Sequence, residues 1–162
     1  MHKYLFLLAI LFFSYSSQGE TVPKTSQATA ASGEKKIAGE QIDEAWSSAI
    51  IAGDFIQLEP VEGAPVTQTT EVKVIYDNTA VYVFAQMHDS QPDSILHELG
   101  NRDEGLDLNA DGFRFAIDPY NKRQSGYVFV VTASGVQTEY LDDDITFDAV
   151  WQSAVKITST GW

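Results

Sequence analysis

Cysteine is absent from this 162-residue sequence, and histidine occurs only three times. Without cysteine the chain cannot form disulfide bridges or thiolate metal sites. The three histidines (His2, His88 and His97) are too few for a histidine-rich zinc site. They also leave few places for a Ser-His-Asp set. The sequence therefore excludes a disulfide-stabilised scaffold and a thiolate metal protein.

Basic residues are also scarce. Ten lysines and arginines stand against 23 aspartates and glutamates, which gives a formal net charge of −13. A surface of this charge repels phosphate backbones, so nucleic acid is not an expected partner. It suits hard cations or neutral polar ligands such as glycans. Solubility of an exported protein accounts equally well for the same charge.

Long apolar runs are missing except at the start, where residues 4–13 read YLFLLAILFF. The run follows a weakly basic start and precedes small residues, with Ser17 and Gly19 at the −3 and −1 positions of a cleavage site. This pattern predicts a secretory signal peptide over residues 1–19. The alternative is an uncleaved N-terminal anchor, for which the run is short. We therefore expect export to the periplasm, the outer membrane or the extracellular space.

The remaining sequence divides into a linker and one domain. Residues 20–36 are polar and rich in Ala, Ser and Thr, which predicts a flexible linker. The domain is expected over residues 37–162. Near its start we predict a short helical turn that directs Trp46 inward, with Asp43 as its N-cap.

Beyond residue 70 the hydrophobic pattern has a period of two, which is typical of strands. Short strands at regular spacing, with almost no amphipathic helix, predict an all-β fold, an antiparallel β-sandwich. Trp46 and Trp151 are expected to lie buried between its sheets. The expected strands cover residues 71–76, 81–87, 113–117, 127–132, 136–141 and 149–157.

At residues 159–162 a strand pattern is still in progress. We therefore expect the domain to be incomplete at its C-terminal end. Its partners would then include the C-terminal remainder of its own polypeptide.

Residues 107–118 read DLNADGFRFAID, which places acidic residues at calcium-loop spacing. An EF-hand also needs flanking helices, whereas a strand pattern follows Gly112 and Pro119 would interrupt an exiting helix. The EF-hand interpretation therefore fails. A structural calcium ion is still a candidate cofactor, because hard oxygen ligands crowd this loop. The alternative is a loop whose side chains cap their own turns. The four candidate ligands are Asp103, Asp107, Asn109 and Asp111.

A second acidic cluster, residues 142–144 with Asp148, is better explained as a solvated surface. No carboxylate pair stands out by its spacing for glycoside hydrolysis, so we do not predict an enzyme. Met87 and His88 are adjacent, but there is no CxxCH attachment motif and a strand-end methionine normally fills the core. Haem is not expected.

Several stretches together resemble family 9 carbohydrate-binding modules and their relatives. The similarity covers residues 37–162 and rests on the order and spacing of its motifs. It is greatest to a subgroup in which the module precedes a large outer-membrane-associated β-barrel region. The stretches are IAGEQIDEAW at 37–46, VKVIYDNTAVYVFAQMHD at 72–89, DGFRFAIDPY at 111–120, DPYNKR at 118–123, GYVF at 126–129 and DAVW at 148–151.

The resemblance implies a β-sandwich that binds sugar in some members and calcium in others. It therefore suggests a non-catalytic carbohydrate-binding module serving polysaccharide breakdown or uptake, with a glycan as partner. The alternative is a structural or docking domain of an envelope protein. Two positions depart from the family pattern: Ala38 replaces the opening Asp, and Leu108 replaces a sugar-stacking Trp. The candidate glycan-binding residues are Tyr120, as a stacking plane, and Asn121, Arg102 and Asp111, as hydrogen-bonding groups.

Overall fold

A computed structural model describes residues 24–33, 35–41, 43–121, 123, 126–141, 144 and 146–162. The predicted signal peptide lies outside these residues, as do residues 142 and 143 of the second acidic cluster. In the described part, regular structure consists of seven strands and two single-turn 3₁₀ helices, Glu44–Trp46 and Pro92–Ser94. A helix long and apolar enough to cross a membrane is not found among the described residues. The prediction of a mostly β protein is confirmed.

The first sheet is built around a hairpin. Its strands are β3 (Thr70–Tyr76) and β4 (Val81–Met87), which pair antiparallel from Tyr76–Val81 to Thr70–Met87. At the turn, Asp77 Oδ1 accepts hydrogen bonds from the backbone nitrogens of Thr79 and Ala80, at 2.8 and 3.0 Å. This is the local chemistry by which Asp favours turns, and it fixes the hairpin predicted from the alternating pattern.

Two short strands complete the sheet on the other side of β3. They are β1 (Thr29–Ala30), which is parallel to β3, and β2 (Ile51–Ala52), which is antiparallel. Because β4 pairs with β3 over its full length, β1 and β2 share the opposite edge. The segment predicted to be a flexible linker therefore contributes a strand.

A partly buried ion pair holds the same N-terminal segment to the hairpin. Lys35 Nζ lies 2.7 Å from Asp77 Oδ2, and the Lys35 side chain is only 2% exposed. The hydrogen bond from Lys35, with those from Thr79, holds the pKa of Asp77 well below its usual range. This contact and the pairing of β1 with β3 explain why the segment predicted to be a flexible linker is attached to the first sheet.

The second sheet contains β5 (Gly112–Ile117), β6 (Tyr127–Thr132) and β7 (Gln137–Leu141). All pairings are antiparallel and β6 is central. The predicted alternation is confirmed, because Val128, Val130 and Thr132 are buried on one face of β6. Val128 and Val130 pack with Tyr140 in a small core.

The strand expected over residues 149–157 is not formed, and this part of the prediction was wrong. Hydrogen bonds to side chains, and not backbone pairing with a neighbouring strand, hold this segment in place. Glu139 accepts hydrogen bonds from Ala149 N at 3.0 Å and from Trp151 Nε1 at 2.8 Å. Farther along, Gln137 Nε2 donates to Ser153 Oγ at 2.9 Å. Periodicity cannot distinguish such a segment from a strand, because its side chains alternate in the same way.

The predicted helical turn is the 3₁₀ helix Glu44–Trp46. Asp43 occupies its N-cap position but makes no capping bond, and its Oδ2 atom accepts a hydrogen bond from Lys36 N at 2.8 Å. Trp46 is buried, as expected, and its ring packs against Phe84 with centroids 5.9 Å apart. Trp151 is half-buried, so it only partly meets the same expectation.

Candidate functional site

The predicted calcium ligands lie in or beside the acidic loop, residues 96–111, which joins the two sheets. Its two arms pair with each other. His97 and Ala110 form an antiparallel bridge, and Asp111 N donates to the carbonyl of Leu96 at 2.8 Å. Asp111 Oδ2 in turn accepts a hydrogen bond from Leu96 N at 3.2 Å. The loop is therefore a closed, hydrogen-bonded structure.

Other carboxylates of the acidic loop also bind backbone nitrogens. Glu104 accepts from Asn101 N at 2.8 Å, and this bond holds the pKa of Glu104 below its usual range. Glu98 accepts from Asn109 N at 2.7 Å. No group of three or more His, Cys, Asp or Glu residues able to hold a metal ion is found in the described part of the chain. These contacts favour turn capping, and calcium stays a prediction.

Calcium titration separates the two interpretations. If calcium binds the acidic loop, saturating Ca²⁺ should raise the melting temperature, because a ligand at 100 times its Kd stabilises by about 2.7 kcal/mol. Asp111→Asn should abolish this rise, since it keeps an acceptor for Leu96 N but loses the charge. Asp144→Asn, outside the loop, should leave it unchanged. Identical melting curves in calcium and in chelator would instead establish the capping role.

Arg102, a predicted glycan-binding residue, is engaged within the protein. Its Nη2 atom forms an ion pair with Glu139 Oε1 and donates to the carbonyl of Ala149 at 2.7 Å. Its Nη1 atom donates to Gln137 Oε1 at 2.9 Å. Asp148 Oδ1 lies 3.7 Å from Arg102 Nη2, and the Asp148 side chain is highly exposed. Arg102 therefore joins the acidic loop to β7 and to the segment after β7.

Glu139 lies at the centre of these contacts. Its side chain is completely buried, with 0% exposure. Burial opposes its ionisation, but hydrogen bonds from Trp151, Ala149 and Arg102 outweigh this effect and hold the pKa of Glu139 below its usual range. Trp151 is fixed both by Glu139 and by an edge-on contact with Phe129, at a centroid distance of 5.3 Å. We call these residues (Arg102, Glu139, Ala149 and Trp151) the Glu139 cluster.

The sequence analysis did not predict Glu139 as a site residue, although the residue pattern of β7 indicated that it is unusual. In β7, QTEYL, the glutamate falls on the same side of the sheet as Phe129, with which it pairs across the strands. A charge among inward-facing apolar residues requires a partner, because an unpaired buried charge is very costly. The sequence could have indicated that a basic residue or an indole lies opposite.

Tyr120 and Asn121 occupy the turn after β5. Asp118 organises this turn, because its Oδ1 atom accepts from Tyr120 N at 3.2 Å and its Oδ2 atom accepts from Arg123 N at 2.7 Å. Asn121 has a left-handed backbone conformation with φ 50°. Tyr120 as a residue is 71% exposed. An ordered turn thus presents an aromatic ring and a neighbouring amide to solvent.

The four predicted glycan-binding residues do not form one site. Asp111 precedes β5 and Tyr120 follows it, and a strand of this length separates its ends by about 20 Å. Arg102 lies at the same end as Asp111. Its neighbour Asp103 donates from the backbone N to the carbonyl of Gln137 at 2.8 Å, and β7 begins at Gln137, at the end of the sheet where β5 also begins. Tyr120 and Asn121 are together at the far end.

Residues of both sheets line a cavity of about 490 Å³, which is the size of many ligand sites. Its walls are largely aromatic and aliphatic. All three tryptophans of the chain contribute, as do side chains of β4, β5 and β6. Charged groups are few, and Lys156 and Glu40 pair with each other at 2.6 Å. The aromatic members include Trp46, Trp151, Trp162, Phe84, Phe113, Phe115 and Phe129.

Comparisons with known proteins give no relative: no family model, no curated protein and no solved structure matches the chain.

Proposed function

We propose that this chain is a non-catalytic carbohydrate-binding module of a larger secreted or outer-membrane-associated polypeptide, acting in polysaccharide breakdown or uptake. Its two sheets would form an antiparallel β-sandwich. Support for the sandwich comes from the cavity, because Phe84 of the first sheet and Phe115 of the second line the same space. The motifs similar to family 9 carbohydrate-binding modules support the same architecture.

The observation that carries the proposal is the exposed ring of Tyr120. A sugar ring stacks its apolar face on an aromatic plane, which must be accessible and held in position. Tyr120 is 71% exposed, and Asp118 fixes the backbone on either side of it. Asn121 is also exposed and carries an amide that can both donate and accept hydrogen bonds to hydroxyl groups. The pair supplies the two kinds of contact that a neutral sugar needs.

The large cavity is a poorer site for a sugar. Its strand-derived walls are apolar, so hydroxyl groups placed against them would lose water without gaining partners. Each unsatisfied polar group costs about 1–3 kcal/mol. The turn at Tyr120 leaves such hydroxyls in contact with solvent and is the better candidate.

Four carboxyl groups of the described residues are unsuited to act as the general acid of a glycosidase. A glycosidase needs one carboxylic acid with a raised pKa to protonate the leaving group. Asp77, Glu104, Glu139 and Asp144 all have lowered pKa values. Hydrogen bonds donated by neighbouring groups lower each of them, in Glu139 against the opposing effect of burial. These shifts are opposite to those of a general acid.

Binding should be tested by glycan array, followed by calorimetry on the strongest ligand. Tyr120→Ala should raise the Kd about 2- to 12-fold, because an aromatic stack contributes about 0.5–1.5 kcal/mol beyond area burial. Tyr120→Phe keeps the ring plane and should bind nearly as well as the unaltered chain. Tyr76→Ala removes another exposed tyrosine, on β3, and should have no effect. Equal affinities for Tyr120→Ala and the unaltered chain would reject this site.

The second candidate function is a structural or docking domain of an envelope protein. It is favoured by one observation: Arg102 and Asp111, half of the predicted glycan-binding set, hold the acidic loop together. If no glycan on the array binds the chain, that result would support this second function.

A further inference from the structure

Arg123 lies in the same turn as Tyr120 and differs from the other two arginines of the chain. Arg102 is paired within the Glu139 cluster. The guanidinium carbon of Arg114 lies 5.2 Å from the centroid of an aromatic ring on β7. Arg123 is exposed, and it forms no ion pair with any residue that the structure describes. Its positive charge is therefore accessible to a ligand.

The backbone of Arg123 is held in a left-handed conformation, with φ 54°. This conformation is unfavourable for residues other than glycine, asparagine and aspartate. Asp118 fixes it, because one carboxylate accepts hydrogen bonds from Tyr120 N at 3.2 Å and from Arg123 N at 2.7 Å. Glycine would adopt the same φ without strain. Arginine at this position therefore gives the turn a positive charge but no conformational advantage.

The turn carries a local excess of positive charge. Residues 118–123 read DPYNKR, with one acidic and two basic side chains, in a chain of net charge −13. Asp144 follows β7 at the same end of the sheet, two strands from β5 and so about 10 Å away. The acidic loop is at the other end of β5, at about 20 Å. At physiological ionic strength exposed charges interact over about 8 Å, so these acidic groups do not prevent an anion from binding at the turn.

We propose that the glycan bound at this turn is acidic: a sugar ring lies on Tyr120, and the carboxylate of a uronic acid unit pairs with Arg123. A guanidinium suits a carboxylate because both groups are planar and can form two parallel hydrogen bonds. Tyr120 and Asn121 serve the sugar ring and its hydroxyl groups, and Arg123 adds the recognition of charge. This inference rests on the proposed glycan-binding function and names the class of sugar.

A glycan array provides the first test. It carries oligosaccharides of glucuronic, galacturonic, mannuronic and guluronic acid, each beside its carboxyl-reduced neutral counterpart and a sulfated form of that counterpart. The chain should bind at least one acidic oligosaccharide about 10-fold more tightly than its reduced counterpart, because charge-assisted hydrogen bonds are the stronger ones. Equal binding of the acidic and reduced forms, or tightest binding of a sulfated form, would overturn the inference and leave glycan binding intact. If no glycan binds, acidic or neutral, the proposed function fails as well.

Calorimetry on variants provides the second test, with the preferred acidic oligosaccharide and its reduced counterpart as probes. Arg123→Gln should raise the Kd of the acidic form about 10-fold and leave that of the reduced form unchanged, because the reduced form has no carboxylate to lose. Tyr120→Ala should weaken both. Lys36→Gln, which removes a charge from another exposed residue, should weaken neither.

Arg123→Gly separates the charge from the fold. Glycine accepts the left-handed backbone, so the melting temperature should stay close to that of the unaltered chain. The preference for the acidic form should nevertheless be lost, as in Arg123→Gln. Variants of Arg123 that keep the preference, or that weaken both forms equally, would overturn the assignment of the carboxylate to Arg123.

Discussion

Unfolding of the Glu139→Ala variant should require about 3 kcal/mol less free energy than unfolding of the unaltered chain. Glu139 is fully buried and accepts hydrogen bonds from Arg102, Ala149 and Trp151. Alanine would leave Ala149 N and Trp151 Nε1 without this acceptor and would remove the charge that pairs with Arg102, which keeps its bonds to Gln137 and to the carbonyl of Ala149. The value is at the lower end for breaking a buried ion pair, because the Arg102 side chain is 39% exposed. Urea denaturation followed by circular dichroism measures the difference.

Glu139→Gln is the matched control, since it keeps the side-chain volume and an oxygen acceptor but loses the charge. It should cost less than Glu139→Ala, about 1–2 kcal/mol, because a hydrogen bond to a neutral group is weaker than one to a charged group. A Glu139→Ala variant within about 0.5 kcal/mol of the unaltered chain, the usual effect of a surface substitution, would contradict the assigned role.

The pH dependence of the free energy of unfolding should reflect the ionisation of Glu139. The pKa of Glu139 in the folded protein is below its ordinary value of 4.5, so between the two values the unfolded chain binds more protons. Its stabilising contribution is therefore present above pH 4.5 and is lost as the pH falls through the folded pKa. Glu139→Gln should lose less stability over this acidic range than the unaltered chain.

Gly161→Ala should release Trp162 from β4. A Cβ atom at position 161 would lie 1.9 Å from the carbonyl oxygen of Met87, and the backbone there has φ +136°. This conformation is essentially restricted to glycine and costs other residues about 1–3 kcal/mol. Opening of the segment is the expected result, because it relieves this strain. It gives up the two backbone hydrogen bonds between Met87 and Trp162, at about 1 kcal/mol each, so a loss of about 2 kcal/mol is expected.

Tryptophan fluorescence can measure this release, because Trp162 would pass from the half-buried cavity wall into water and its emission would shift to the red. Gly63→Ala is a suitable control. Gly63 also has a positive φ, +77°, but has no heavy atom within 4 Å of the added carbon. It should leave the emission unchanged. An unshifted spectrum for Gly161→Ala would show that the close approach to Met87 is not needed.

Much of the β structure could be predicted from the sequence, because period-two alternation follows directly from the strand backbone. Phe113, Phe115 and Ile117 alternate with smaller or charged residues, and β5 forms there. The two-residue strands β1 and β2 could not be found in this way, since two residues do not establish a period. They form because the chain pairs there with β3, which lies farther along the sequence.

The candidate site was predictable only in part. The sequence DPYN indicated an exposed turn, and Tyr120 is exposed there. The separation of Tyr120 from Asp111 was already contained in the prediction of a strand between them. The engagement of Arg102 with Glu139 was not, because these residues lie 37 positions apart and their contact depends on the packing of the acidic loop against β7.

Among the described residues no strand pairs with the outer edge of β4 over residues 81–85, which read VYVFA, and this has a consequence for handling the protein. A short β-prone stretch without charge or proline is the kind of sequence that starts aggregation when it is left uncovered. At low ionic strength the charge of −13 keeps molecules apart, but salt shortens the range of that repulsion to a few ångströms. High-salt buffers would therefore promote precipitation through this edge. Val81→Lys, at a residue that is 53% exposed, would place a gatekeeper charge on this edge during purification and crystallisation.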